Sequence, residues 1–354
     1  MEKRVSRRTV LGAVAAALPL IAARRGAAEE RSLQIGIYSA QQGEHVIKVI
    51  IPQFETDYGC KVYATEGFTL SQIAALRATK ESPRFGAMFM DDLGVEIAKR
   101  EGLIEQLPAD KIPNMARVIK RFIFFDGYGA AFAISTVGLV INPQSIKPLE
   151  SYGELWEPRL RGRYMMPTPK FTQSVHLLIA AAGVATGQPL REAQYHCDEA
   201  WNKITELKPN VQTVYDNTPA VMFVAQGQAD ICGLEYSKGI YPYIVKGAAL
   251  AMNFPREGTF PGINCLTLVK GAPDRDLAIA FINRMLEPSV QQGLAEATFA
   301  APSISGLDFK PDVTKWIAYP EAKMDEMGLM IADWAYINPL RPGWLEKYNQ
   351  IFGS

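Results

Sequence analysis

The spacing of apolar residues switches repeatedly between a strand-like period of two and a helix-like period of about 3.6, and this constrains the fold more than any other feature. "SLQIGIYS" (32–39) alternates as a strand does. "HVIKVIIPQFETDYG" (45–59) then sets Val46, Val49, Ile50 and Phe54 at helical spacing until Gly59 stops it. "CKVYATEG" returns to the strand period, and "LSQIAALRATK" to the helical one behind Ser71 as its expected cap. "FGAMFMD" and the helical "LGVEIAKREGL" complete a third pair. Strand–helix pairs in succession predict an α/β fold, with a parallel sheet covered by helices on both faces.

The pattern restarts in the second half. "GRYMMP" leads into "QSVHLLIAAAG", and residues 192–208 place Ala193, Cys197, Ala200, Trp201, Ile204 and Leu207 on one face of an expected single helix. "VQTVYD" and "ADICGLE" read as strands, the second buried. Two α/β halves, each with strand ends and helix N-termini at one edge, suggest a ligand cleft between lobes. Free N–H groups at such helix starts favour anions.

Residues 1–28 stand apart: a basic start, an uncharged run from Val10 to Ala23, and small residues before a polar chain. That pattern is an export signal, with cleavage expected after Ala28. Ser6 to Leu11 resembles the twin-arginine motif, with Val10 where Phe is usual. Without this segment the chain carries 31 Lys and Arg against 36 Asp and Glu, a formal charge of −5. No basic stripe remains to hold a phosphate backbone, so nucleic acid is not an expected partner. No later apolar run reaches membrane length, which gives an expected periplasmic product with no membrane span in the mature chain. Cys60, Cys197, Cys232 and Cys265 show no CxxC spacing, and buried free thiols are the plain expectation.

Catalytic patterns are missing. There is no G-x-S-x-G elbow or P-loop, and "GYGAAF" (127–132) lacks the third glycine of a dinucleotide loop. His45, His176 and His196 are scattered without metal-ligand spacing, and each is expected on an ordinary helix surface. The chain therefore reads as a binder that needs no cofactor or metal, rather than an enzyme.

Three longer stretches carry a family resemblance. "SYGELWEPRLRGRYMMP" (151–167), "ELKPNVQTVYDN" (206–217) and "FPREGTFPGINCLTLVKGAPDRDLAIAFINRMLEPSVQQGLAE" (254–296) resemble the spermidine/putrescine group of bacterial extracellular solute-binding proteins, which serve ATP-driven importers. The resemblance implies a two-lobed, type II-like periplasmic-binding-protein fold hinged by crossing strands near Thr136–Val140 and Asn264–Val269, with a return after about Ser305. Lobe 1 would hold 29–137 and 263–305, and lobe 2 would hold 138–262 and 306–354. Its implied partners are a small-molecule solute and an ABC permease and ATPase complex in the inner membrane, with the binder itself a monomer.

Departures from that family point to the ligand. The loop after "GRYMMP", acidic in polyamine binders, is here Thr168-Pro169-Lys170-Phe171-Thr172. An aromatic and an aspartate of the family correspond to Gly262 and Asn264, and "YSAQQGEH" (38–45) lacks the family's Trp. These favour a carboxylate- or phosphonate-like anion or a zwitterion. A polyamine remains the alternative, because Glu44, Asp91, Asp92, Glu235, Glu257 and Asp333 offer carboxylates. Ferric ion is the third, with Tyr236, Tyr241 and Tyr243 but no adjacent tyrosine pair.

The candidate ligand contacts are Tyr38, Ser39, Asp91, Thr136, Thr168, Lys170, Thr172, Tyr236, Phe260, Asn264 and Asp333. Each has a plain reading beside it: packing for Tyr38, Tyr236 and Phe260, helix capping for the acids, and a solvated turn for 168–174. Two other function classes stay open at this point. An exported enzyme would need a nucleophile beside a base, and a sensory binder cannot be told from a transport binder by sequence.

Overall fold

The first-half strands form where apolar residues alternate: β1 (Ser32–Ile37) buries Leu33, Ile35 and Ile37. In this computed structural model, which describes residues 31–353, β1 pairs in parallel with β2 (Lys61–Glu66) and with β3 (Ala87–Asp91). The export segment lies outside the described residues. The remaining strands are β4 (Ile104–Glu105), β5 (Ile123–Phe124), β6 (Gly129–Ile141), β7 (Tyr164–Pro167), β8 (Val211–Tyr215), β9 (Ile231–Tyr236), β10 (Ala251–Asn253) and β11 (Phe260–Val269). They make one sheet in the order β2-β1-β3-β11-β6-β9-β7-β8, with β4 on β11 and β5 and β10 on β6.

β6 and β11 are the long strands, and every residue of each is buried. Near-continuous apolar runs of this kind belong to strands covered on both faces. They pair antiparallel with each other, β3 pairs antiparallel with β11, and β9 pairs antiparallel with β6. It follows that β3 and β9 run in opposite directions. β3 ends with Asp91 opposite Asn264, which in turn faces Ala133, while β9 ends with Tyr236 opposite Val137. The carboxyl ends of the two parallel strand groups thus meet head to head over residues 133–137 of β6.

The apolar core changes membership at the same place. Residues up to Ile134, and from Ile263 to Leu329, pack around β1–β3. Val137 to Leu234, Phe260, and Met330 to Tyr348 pack in a second core, joined by a smaller group under β10. Leu93 is the exception: its helix (Asp92–Arg100) follows β3, yet its side chain belongs to the second core.

Several local expectations are corrected. The first helical stretch begins at Ala40, not near 45, and runs through one π turn to Tyr58 before the left-handed Gly59. The helix Thr69–Ala78 starts two residues before Ser71, whose hydroxyl instead accepts from the Phe68 N–H and donates to the Phe68 carbonyl. Residues 192–208 are not one helix: Leu190–Ala193 and Trp201–Leu207 are separated by a 3-10 turn at Cys197–Ala200. Gln194, at the break, turns its side-chain oxygen to the Asp333 N–H. His176 is buried rather than on a helix surface, because its helix (Thr172–Thr186) is apolar on nearly all sides. All four cysteines are buried free thiols.

Candidate functional site

Open α/β sheets gather ligands beyond the carboxyl ends of their strands, and here two sets of such ends converge. From the first half come Tyr38, just past β1, and Asp91, the last residue of β3. The Tyr38 hydroxyl donates to Asp91 Oδ1 at 2.7 Å and lies 3.5 Å from Thr69 Oγ1, and Thr69 Oγ1 also accepts from the Asp91 N–H. Burial beside the Asp91 charge pushes the Tyr38 phenol well above its ordinary value, so it stays a donor.

Asn264 arrives on β11, where the pairing with β6 shifts register between Asn264 and Cys265. Such bulges re-aim side chains beside functional sites. Asn264 Nδ2 donates to Asp91 Oδ1 at 3.0 Å. Its oxygen accepts from Lys238 Nζ at 2.5 Å. Lys238 comes from the second half, in the first turn of the helix Ser237–Val245 that follows β9. Its ammonium also lies 5.5 Å from the centre of the Tyr38 ring. Burial lowers its pKa to about 8, against the opposing pull of Asp91.

Tyr236 caps the same helix and leans on Gly262 of β11. A Cβ at Gly262 would sit 2.4 Å from the Tyr236 ring and 2.5 Å from Ser135 Oγ, so only glycine leaves room for the ring. Gly262→Ala is expected to cost about 1–3 kcal/mol by overpacking, read as a lower urea midpoint at unchanged slope. An unaltered midpoint would show that Tyr236 is not held there.

Arg341 opens the helix Arg341–Phe352, and the junction holds its half-buried side chain. Burial lowers its pKa, while Tyr236 and Asp91 act the other way. No hydrogen bond or ion pair to its guanidinium is found among the described residues. Two buried carboxyls flank the same region. Burial pushes Asp92 up to about 7, partly offset by the Trp334 side chain. Glu235 is likewise pushed up to about 7, although it accepts from the Tyr215 hydroxyl at 2.6 Å.

The structure brings together Tyr38, Asp91, Asn264 and Tyr236 of the expected contacts. Thr172 lies within hydrogen-bonding reach of the Tyr236 hydroxyl, and Thr136 within reach of Tyr241. Ser39 precedes the helix Ala40–His45 without capping it by its side chain, and Ala40 is held at φ 65°. The remaining expected contacts have other partners or none. Thr168 is buried, and its carbonyl accepts from Ser174 Oγ. Lys170 is exposed, with no partner among the described residues. Phe260 is fully buried, with its ring stacked 4.4 Å from His176 at 5°. Asp333 caps the short helix Trp334–Ile337 and accepts from Tyr195.

Lys238 and Arg341 were missed. Their signal was legible in principle: each is a cation in the first turn of a helix, where the macrodipole disfavours it. A cation kept there in two helices calls for a negative partner. Surface hollows beside the β8 edge and beside Lys80 and Lys270 hold none of these groups. Among the described residues no cluster of His, Cys, Asp or Glu is arranged to hold a metal, and no helix is long and apolar enough to cross a membrane.

Comparison with known proteins places this geometry among others. A family described as bacterial extracellular solute-binding protein matches residues 50–321. The spermidine/putrescine-binding periplasmic protein of Escherichia coli K12 is 22% identical over 305 residues, covering 82% of this chain and 85% of that protein. The crystal structure of an ABC transporter from Clostridium perfringens superposes with a TM-score of 0.77 at 21% identity, covering 90% of this chain and 99% of that one. A periplasmic binding protein of Actinobacillus pleuropneumoniae, solved with fructose-6-phosphate bound, gives 0.71 at 17% identity over 91% of this chain and 99% of that one. At such identities the solved structures speak for the two-lobed fold alone.

Proposed function

We propose a solute class and a set of partners for this chain, which belongs to the bacterial extracellular solute-binding proteins. The protein captures one small organic anion or zwitterion where the strand ends meet, and makes or breaks no covalent bond. It works in the periplasm as a monomer and hands the solute to an ABC permease and ATPase complex in the inner membrane. The lobes follow core membership: 31–134 with 263–329, and 137–262 with 330–353. The third crossing then falls between Leu329 and Met330, later than the break near Ser305 inferred from the sequence. Solute favours one of two lobe arrangements, and the importer reads that arrangement.

Arg341 is the observation that carries the anionic reading. A guanidinium withdrawn from water without a carboxylate partner is costly, and a bidentate anion offsets that cost. The second reading is polyamine capture, the specificity of the Escherichia coli relative. Thermal melts of the purified protein against carboxylates, phosphonates, sugar phosphates, amino acids, putrescine and spermidine decide between them. A midpoint raised by an anion and not by putrescine is expected. The reverse pattern overturns the anionic reading.

A further inference from the structure

Lys238 is the one cation of the junction that already has partners, and their identity is informative. Its ammonium faces a carbonyl oxygen (Asn264 Oδ1, 2.5 Å), an aromatic ring (Tyr38, centre at 5.5 Å) and the charge of Asp91. A neutral oxygen acceptor, a π face and a nearby carboxylate are what a free primary ammonium seeks on a protein. The three receptor groups all belong with the first core, just past β1, at the end of β3 and on β11, and are tied to one another by the Tyr38–Asp91 and Asn264–Asp91 hydrogen bonds. Lys238 reaches them from the second half, on the helix after β9. The receptor is thus assembled without Lys238. The lysine enters it as a guest on a tether.

We propose that Lys238 sets the specificity of this protein by occupying, with its own ammonium, an amine-binding subsite made of Tyr38, Asp91 and Asn264. This rests on the reading that solute binds where the two halves meet. A tethered ammonium competes with a free one at an effective concentration in the millimolar range or above, so a diffusing amine of ordinary affinity is excluded. Lys238 and Arg341 both feel the charge of Asp91, so the junction carries two cations to its one Asp91 carboxylate, and an anionic group is the complement. One residue then accounts for both the rejection of amines and the preference for anions.

Lys238→Met tests this with little disturbance, because it keeps an apolar stem and removes only the charged tip. Isothermal titration with n-butylamine and with putrescine is run on the wild-type chain, on Lys238→Met, and on the double variant carrying Asp91→Asn. The wild type is expected to bind neither amine. The single variant should bind n-butylamine at least about tenfold more tightly than wild type, and the double variant should lose that gain. Lys238→Ala, which opens more room, serves if the methionine fills the subsite, and circular dichroism confirms that each variant is folded. Folded Met and Ala variants that bind amine no better than wild type overturn the proposal, as does a gain that survives Asp91→Asn. The carboxylate and phosphonate panel on the wild type is read in parallel. Amine gain in the variant with no anion binding in the wild type would retain the subsite and discard the anionic reading, whereas anion binding without amine gain would do the opposite.

Discussion

Arg341→Gln lowers the affinity of this protein for its anionic solute by about 10- to 100-fold while leaving the fold intact. A hydrogen bond to a charged group contributes about 1.5–3 kcal/mol, and 1.4 kcal/mol is a factor of ten. Arg341 has neither an ion pair nor a hydrogen bond among the described residues, so the substitution breaks no internal contact of that kind and removes a partly desolvated charge. Stability is therefore expected to hold or rise slightly in the absence of solute. Arg341→Lys should recover only part of the affinity, because an ammonium lacks the planar fork that meets a carboxylate or phosphonate with two parallel bonds. Calorimetric titration of the three proteins with the anion found in the melting panel measures this. Equal affinities for wild type and Arg341→Gln would remove Arg341 from the site and leave the anion to other groups.

How much of this was legible beforehand depended on the kind of signal. The switching of apolar period located β1, β2, β3, β8 and β9 to within a residue or two, because half-buried and buried strands must present apolar side chains at fixed intervals. The family suggested by "ELWEPRL", "LKPNV" and the "PREG" segment is the family whose description matches residues 50–321. Asp91, Asn264, Tyr38 and Tyr236 could be anticipated because each ends a strand or lies where a long strand passes the strand ends.

Other features were not legible because they depend on tertiary direction. Lys170 looked like a ligand group in "TPKFTQS", yet the hydroxyl of Ser174 is bound to the carbonyls of Pro167 and Thr168, and the lysine points to solvent. Phe260 looked like an aromatic at the mouth of a site, but alternation along β11 sends it into the core against His176. Arg341 is remote in sequence from every strand that it meets at the junction. Only its place at the start of a helix marked it, and a cation at a helix start is a weak signal when read alone.

His176→Phe should be increasingly more stable than wild type as pH falls below about 6.5, by about 3 kcal/mol near pH 4.5 after allowance for any constant offset. Burial and the Arg341 charge lower the His176 pKa to about 3 in the folded protein, against about 6.5 when unfolded. Above 6.5 both states leave the ring neutral. As pH falls from there toward 3, the unfolded chain takes up a proton that the native ring refuses, and stability is lost at about 1.4 kcal/mol per pH unit. Asp92 and Glu235 act in the opposite direction. Their folded values near 7 mean that the native state keeps protons the unfolded chain has released, so their contribution is present in acid and lost as pH rises toward 7. The wild-type profile is the sum of these slopes, which is why the difference between wild type and variant, from urea unfolding at several pH values, is the measured quantity. Phenylalanine keeps the ring stacked on Phe260 and removes the buried Nδ1, which has no hydrogen-bond partner among the described residues. A difference that stays flat from pH 7.5 to 4.5 would show that the folded protein accepts the proton after all. Saturating anion supplies a second arm: by neutralising Arg341 it eases protonation of His176, and the wild-type loss on acidification should shrink.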